Sequence, residues 1–322
     1  MMRARTTFAT RLQPAVLLLT IACGFAVGVQ AQDCAMCATS EALLATAPNS
    51  WTLRKQVNEV QVLFTASRHG QFVSGLTQGD IRVRDNDNPA TIVDFRGQEN
   101  LPLRVVLLVD TSDSIRGRFQ FEKEAAALFL RQTLRGQTDQ AMVAGFNNSF
   151  HLSQDFSHDP RLLSAGIDRL WPGGGTAIYD AVAQACSMLS RPGEGVVARV
   201  LILVSDGDDN SSKSTLQAVV ARAQQAEVTI YTVSTNYLGN SPADSNLKHL
   251  AQPTGGQALF PGSARKLARA FDRISEELRH RYAVSYRPPE IAANGRFHRI
   301  QVWARKSGKK LKIQARKGYY AR

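Results

Sequence analysis

Two kinds of hydrophobic pattern divide the chain. Between Leu103 and Leu278, continuous apolar runs alternate with apolar residues at helical spacing. LRVVLLVD (103–110), AMVAGFN (141–147), RVLILVSD (199–206) and VTIYTV (228–233) read as strands buried on both faces. Between and after them lie four helical faces: Phe121, Ala125, Leu128 and Phe129; Ile178, Ala181, Val182, Ala185 and Leu189; Leu216, Val219, Val220 and Ala223; and Leu267, Phe271, Ile274 and Leu278. This alternation predicts an α/β domain over 103–278, a doubly wound and mainly parallel sheet.

On either side the period changes to two. Val60, Val62 and Phe64 alternate with polar residues, a turn follows at Arg68–Gln71, and Ile81 and Val83 alternate before DNDNP at 85–89. Beyond the central domain, Tyr282, Val284 and Tyr286, then His298, Ile300 and Val302, then Leu311, Ile313 and Ala315 repeat the pattern. The blocks 55–98 and 279–322 are each below the size that usually folds alone. They are expected to pair into one small β-sandwich built from N- and C-terminal segments.

The first residues are basic and free of acids, and AVLLLTIACGFAVGV (15–29) is apolar. With Val29 and Ala31 as small residues before a cut after Ala31, residues 1–31 have the layout of a secretory signal peptide. The apolar run falls short of the roughly twenty residues a spanning helix needs. The mature chain is therefore expected to be soluble and exported, periplasmic or secreted. Residues 32–54 lack periodicity and read as a tether. Their CxxC, Cys34 and Cys37, lacks the strand-helix context of a redox motif, which leaves a local disulfide or an idle pair. Cys186 falls on an apolar helix face and reads as a buried thiol.

Composition is that of a folded protein, 43% apolar and 20% charged. Removal of Arg3, Arg5 and Arg11 takes the formal charge from +12 to +9. The excess lies in the tail, where Lys and Arg outnumber acids twelve to one between His280 and Arg322.

Ligands of open α/β sheets sit outside the carboxyl ends of the strands. Three polar stretches fall there: Asp110-Thr-Ser112-Asp-Ser114 after the first buried strand, Gly173-Gly-Gly-Thr176 opening the helix that contains Asp180, and Ser205-Asp206-Gly-Asp208-Asp209 after another strand. Each alone is ordinary turn chemistry, and Thr176 alone is a plausible N-cap. On one rim, Asp110, Ser112, Ser114, Thr176 and Asp206 supply three hydroxyls and two carboxylates, an oxygen set suited to Mg²⁺ or Mn²⁺.

DTSDS (110–114), GGGTAIYDA (173–181) and LVSDGDDN (203–210) resemble the three loops of the metal-ion-dependent adhesion site (MIDAS) in von Willebrand factor type A (VWA) domains. The resemblance spans about residues 103–278 and implies a Rossmann-like VWA fold. It also implies that Ser112, Ser114 and Thr176 offer hydroxyls to a cation, while Asp110 and Asp206 bind it or its waters. The implied function is adhesion, with a protein partner supplying a Glu or Asp to the metal. The flanks, including FVSGLTQGDIRVRDNDNPATIVDF and the closing ARKGYYAR, resemble acidobacterial-type VWFA-related secreted proteins.

Catalysis has little support. Asp110 as the nucleophile of a phosphatase wants an acid two residues on, where Ser112 stands. Asp206-x-Asp208-x-Asn210 lacks the glycine and glutamate of an EF-hand, and the triple glycine has no following Lys-Ser/Thr. A part in an envelope assembly, with the metal mainly stabilising the fold, remains open beside adhesion. Arg305, Lys306, Lys309, Lys310 and Lys312 suit an anionic envelope polymer or lipid, or serve as solvated residues guarding strand edges. No nucleic-acid motif is present, and nucleic acid is not expected as a partner.

Overall fold

A computed structural model describes residues 59–97, 101–117, 119–191, 197–236, 242–289 and 294–321. The signal peptide, the tether and Cys34–Cys37 lie outside the described residues.

The elements run β1 (Val60–Arg68), β2 (Gln71–Phe72), β3 (Ile81–Asp85), β4 (Asn88–Pro89), β5 (Thr91–Gly97) and β6 (Leu103–Asp110), then α1 (Phe119–Thr133), β7 (Gln140–Phe146), β8 (Phe150–Ser157), α2 (Pro160–Asp168) and α3 (Ile178–Leu189). They continue with β9 (Ala198–Ser205), α4 (Leu216–Gln225), β10 (Val228–Ser234), α5 (Ala243–Ala251), β11 (Ala258–Leu259) and α6 (Ala264–Arg279). The last five are β12 (Arg281–Arg287), β13 (Phe297–Lys306), β14 (Lys309–Lys310), β15 (Lys312–Ala315) and β16 (Gly318–Tyr320).

The central sheet has the order β11-β10-β9-β6-β7-β8. Its first five strands are parallel, and β8 closes the edge antiparallel to β7. Alternate side chains of β6 enter opposite cores. Val105, Leu107 and Val109 meet Phe129 of α1, Ile167 of α2 and Phe271 of α6. Val106 and Leu108 meet Val182 of α3, Val219 of α4 and Leu247 of α5. The result is a sheet covered on both faces, which is why its strands are apolar at successive positions. Cys186 sits in the second core, and burial pushes its thiol up to about 12, so it stays neutral.

Strand β8 and helices α2 and α5 are additions to the sequence reading. The strand FHLSQDFS is partly exposed along its length and carries no continuous apolar run. Leu128 is a correction: it stands exposed on α1, whose buried stripe is Phe119, Ala125, Ala126, Phe129 and Leu130. By contrast, each apolar position assigned to α3 and α6 is buried.

Strands from the two ends of the described chain pair with each other. In one antiparallel sheet β1 lies between β12 and β15, and β12 pairs with β5. In another, β13 lies between β3 and β14, and β16 also pairs with β13. Val62, Phe64, Ile81, Val83, Val284 and Ile300 from both ends share one core. The turn from β3 to β4 is set by Asn86 and Asp87, both left-handed (φ 46° and 67°), a hairpin conformation these residues tolerate. A buried carboxylate, Asp85, accepts hydrogen bonds from Tyr286 (2.8 Å) and Tyr319 (2.9 Å) and lies 2.9 Å from His298 Nδ1. It thereby ties β3 to β12, β13 and the C-terminal strand.

Candidate functional site

Three loops meet at the carboxyl ends of β6 and β9. Asp110 is the last residue of β6 and is fully buried, 0% exposed. Its Oδ1 accepts the Ser112 amide at 2.8 Å, and its Oδ2 accepts the hydroxyl of Ser205, the last residue of β9, at 2.7 Å. Parallel pairing of β6 with β9 brings these two strand ends together. Ser112 and Ser114 hydroxyls lie 3.0 Å apart, and Ser114 donates to Asp206 Oδ2 at 2.6 Å. Asp110, Ser112, Ser114 and Asp206, separated by up to 96 positions in sequence, thus form one hydrogen-bonded cluster through Ser205 and the Asp110–Ser112 link.

Thr176 enters from the third loop and is 4% exposed. Its carbonyl accepts the amides of Asn210 (2.9 Å) and Ser211 (3.0 Å), and its own amide donates to Asn210 Oδ1 at 2.9 Å. The same loop is sewn to the first: Gly173 N donates to Thr111 O at 2.6 Å and Asp113 N donates to Gly174 O at 3.1 Å. Gly174 takes φ +93°, a left-handed turn that favours glycine. Thr176 is not the N-cap of α3; that position is Ala177, and the helix amides of Ile178 and Tyr179 are received by Asp209 Oδ1 (2.7 Å) and Ser212 Oγ (3.0 Å). Among the described residues the Thr176 hydroxyl makes no hydrogen bond.

Burial pushes the Asp110 carboxyl up to about 6, with the Asp206 charge adding to the effect, against the hydrogen bonds that favour its ionised form. Asp208 is raised as well, again by burial first and Asp206 second. Asp180 is lowered, because the amides of Lys213 (2.8 Å) and Ser214 (2.9 Å) donate to its carboxylate. It therefore straps the loop after β9 onto α3. Asp113 faces away from the cluster: its carboxylate receives Arg116 at 2.7 Å and Gly174 N at 3.2 Å.

Several residues at this rim escaped the sequence reading. Asn147 donates to Gly173 O at 2.7 Å, and Asn148 accepts from Gly175 N at 2.8 Å, so the loop after β7 supports the glycine run. Their signal was available, since two asparagines directly follow the buried run ending at Phe146. Trp171, two residues before that glycine run, is 80% exposed. Among the described residues no three His, Cys, Asp or Glu side chains gather as a metal group; the donors here are mainly hydroxyls.

Residues 105–208 match the family model described as von Willebrand factor type A domain. The match covers about a third of the chain and lies within its central α/β domain. Of the solved structures, a von Willebrand factor type A protein from Catenulispora acidiphila shares 14% identity, with 74% of this chain and 72% of that chain covered and a TM-score of 0.51. The vWF domain of the type V pili tip protein Mfa5 from Porphyromonas gingivalis shares 16%, with 55% and 95% covered and a TM-score of 0.47. Proximal thread matrix protein 1 from the mussel byssus, with a zinc-occupied MIDAS motif, shares 18%, with 60% and 49% covered and a TM-score of 0.49. Only the first of these likenesses bears on the fold, and it agrees with the α/β architecture of the central domain. Comparison with curated proteins gives no match.

Proposed function

We propose that the VWA domain is a protein-binding module of an exported chain, and that its rim holds a divalent cation, Mg²⁺ or Mn²⁺, through Asp110, Ser112, Ser114, Thr176 and Asp206. The observation that carries this reading is the cluster itself: two carboxylates, one fully buried, are linked through serine hydroxyls, and the backbone of the Thr176 loop is hydrogen-bonded to both neighbouring loops. A hard cation suits that oxygen set, and its charge offsets the cost of holding Asp110 ionised in a dry place. When bound, such an ion supplies an electrophilic centre for the carboxylate of a partner's Glu or Asp, because hydroxyls quench its charge less than carboxylates do.

The chain's own residues favour binding over catalysis. Ser112 and Ser205 fix both Asp110 oxygens by one hydrogen bond each, and the position two residues on, where a phosphatase needs its general acid, holds Ser112. Asp113, the nearest acid in sequence, is turned outward onto Arg116 and Gly174, where it cannot serve Asp110 as a proton donor. Trp171 offers a large aromatic surface beside the loops, the residue type that most often anchors an interface.

A pull-down from envelope extract tests the proposal with wild type, Asp110→Ala and Trp171→Ala, each with and without chelator. We expect a partner retained by metal-loaded wild type and lost with chelator or with Asp110→Ala, and capture at least about tenfold weaker with Trp171→Ala, whose metal binding stays unchanged. Equal capture in chelator contradicts the reading. Thermal stabilisation by Mg²⁺ in a chain that captures nothing instead supports an assembly part with a bracing ion.

A further inference from the structure

A second surface lies on the sheet of β3, β4, β13, β14 and β16, none of whose strands carries a rim residue. Its inner face carries Ile81, Val83, Ile300 and Ala304 into the core, so the alternate residues point outward. Pairing of β13 with β3 sets Trp303 opposite Arg82 and Gln301 opposite Arg84, and pairing with β14 sets Arg305 opposite Lys310. Arg84 also lies over the Trp303 ring, 5.5 Å from its centroid. Trp303 is 44% exposed, and at the other end of β13 Phe297 is 42% exposed against Tyr320, with ring centroids 5.3 Å apart.

Charge on this face is unbalanced. Arg82 spends its guanidinium on the carbonyls of Gly79 and Ile81, and Arg299 pairs with Asp87 at the margin. Arg84, Arg305 and Lys310 have no carboxylate partner among the described residues. A merely solvated face accommodates cations, but it has no need of an exposed indole among them and an exposed phenyl ring at the far end of the same strand.

We infer that this face docks on an anionic phospholipid surface. Guanidinium and ammonium groups spaced over three neighbouring strands, β3, β13 and β14, match headgroup phosphates, and Arg binds phosphate through paired donors. Trp and Tyr prefer the interfacial level of a bilayer, where an aromatic body and a polar edge are both accommodated. Cations around aromatic side chains on one sheet face therefore fit a membrane surface better than a soluble polyanion, which has no use for Phe297. The inference is independent of the metal rim, because it uses none of that rim's residues.

Vesicle co-sedimentation of the full chain tests it, using phosphatidylcholine vesicles with and without a quarter phosphatidylglycerol. The variants are Arg84→Ser/Arg305→Ser/Lys310→Ser and, separately, Trp303→Phe; all three cations are exposed, and circular dichroism checks the fold. We expect wild type to bind the anionic vesicles selectively and to lose binding at high salt. The triple variant should bind about a hundredfold more weakly, at roughly fivefold per cation. Trp303→Phe should lose most of the blue shift in tryptophan emission seen with wild type on vesicles. A triple variant that is folded and binds as wild type, equal binding to neutral vesicles, or binding to soluble polyphosphate without vesicle binding each overturns the inference. Should the triple variant misfold, salt-insensitive binding by wild type overturns it alone.

Discussion

Asp110→Ala is expected to abolish divalent-cation binding while leaving the fold in place. The carboxylate is the most buried charge of the cluster and accepts hydrogen bonds from Ser112 and Ser205, so it ties the first loop to the end of β9. Alanine fits the strand, but Ser112 N and Ser205 Oγ then lose an acceptor at a cost of about 1–3 kcal/mol. The decisive readout is linkage. At a hundredfold excess of Mg²⁺ over its dissociation constant, wild type should gain about 2.7 kcal/mol of stability, a rise in melting temperature of roughly 5–10 °C at this size. The variant should gain nothing at the same concentration. A variant still stabilised by Mg²⁺ removes Asp110 from the cation's ligands.

Asp139→Ala is expected to destabilise the protein by about 3–5 kcal/mol, the usual cost of removing one partner from a buried ion pair. Asp139 is buried and serves three donors: Leu103 N at 2.9 Å, Arg135 N at 2.8 Å, and the guanidinium of Arg279. Those donors lie at the start of β6, just beyond α1 and at the end of α6, so one carboxylate joins the entry strand of the central α/β domain to its first and last helices. Arg279 also donates to Thr133 O, which does not replace the lost charge. Urea unfolding followed by circular dichroism checks the value. A loss below about 1 kcal/mol would mean that solvent reaches Arg279 and replaces the pair.

The strands and faces of the central domain were legible because burial on both sides leaves no polar positions to confuse the period. Each apolar residue assigned to α3 and α6 lies in a core. Where a face is only half covered, the pattern misled: Leu128 fits the helical spacing of α1 yet stands in solvent, and β8 at the sheet edge mixes polar and apolar residues without a usable run. The pairing of the chain's two flanks was legible as well, from blocks too short to bury their own apolar faces, and β1 with β12 and β3 with β13 meet that expectation of cross-pairing.

At the rim, Asp110, Ser112, Ser114 and Asp206 were legible as polar residues after buried strands, and parallel pairing brings them together. Supporting groups were less so. Asp209 and Ser212 receive the first amides of α3, a task sequence reasoning gives to a residue just before the helix rather than one some thirty positions later. Asn147 and Asn148 work through the carbonyls and amides of a glycine run, contacts that no spacing rule specifies. Asp85 belongs to the same class: a turn carboxylate in sequence, it is a buried anchor for three aromatic rings in the fold.

The central claim is that oxygens from three distant loops share one cation. Crystals of the chain soaked in Mn²⁺ and measured at the manganese absorption edge test it most directly. The account predicts a single anomalous peak within bonding distance of Ser112 and Ser114, close to Thr176, Asp110 and Asp206, and its loss in Asp110→Ala crystals. A well-measured anomalous map with no peak there, or with manganese bound only at other carboxylates, contradicts it.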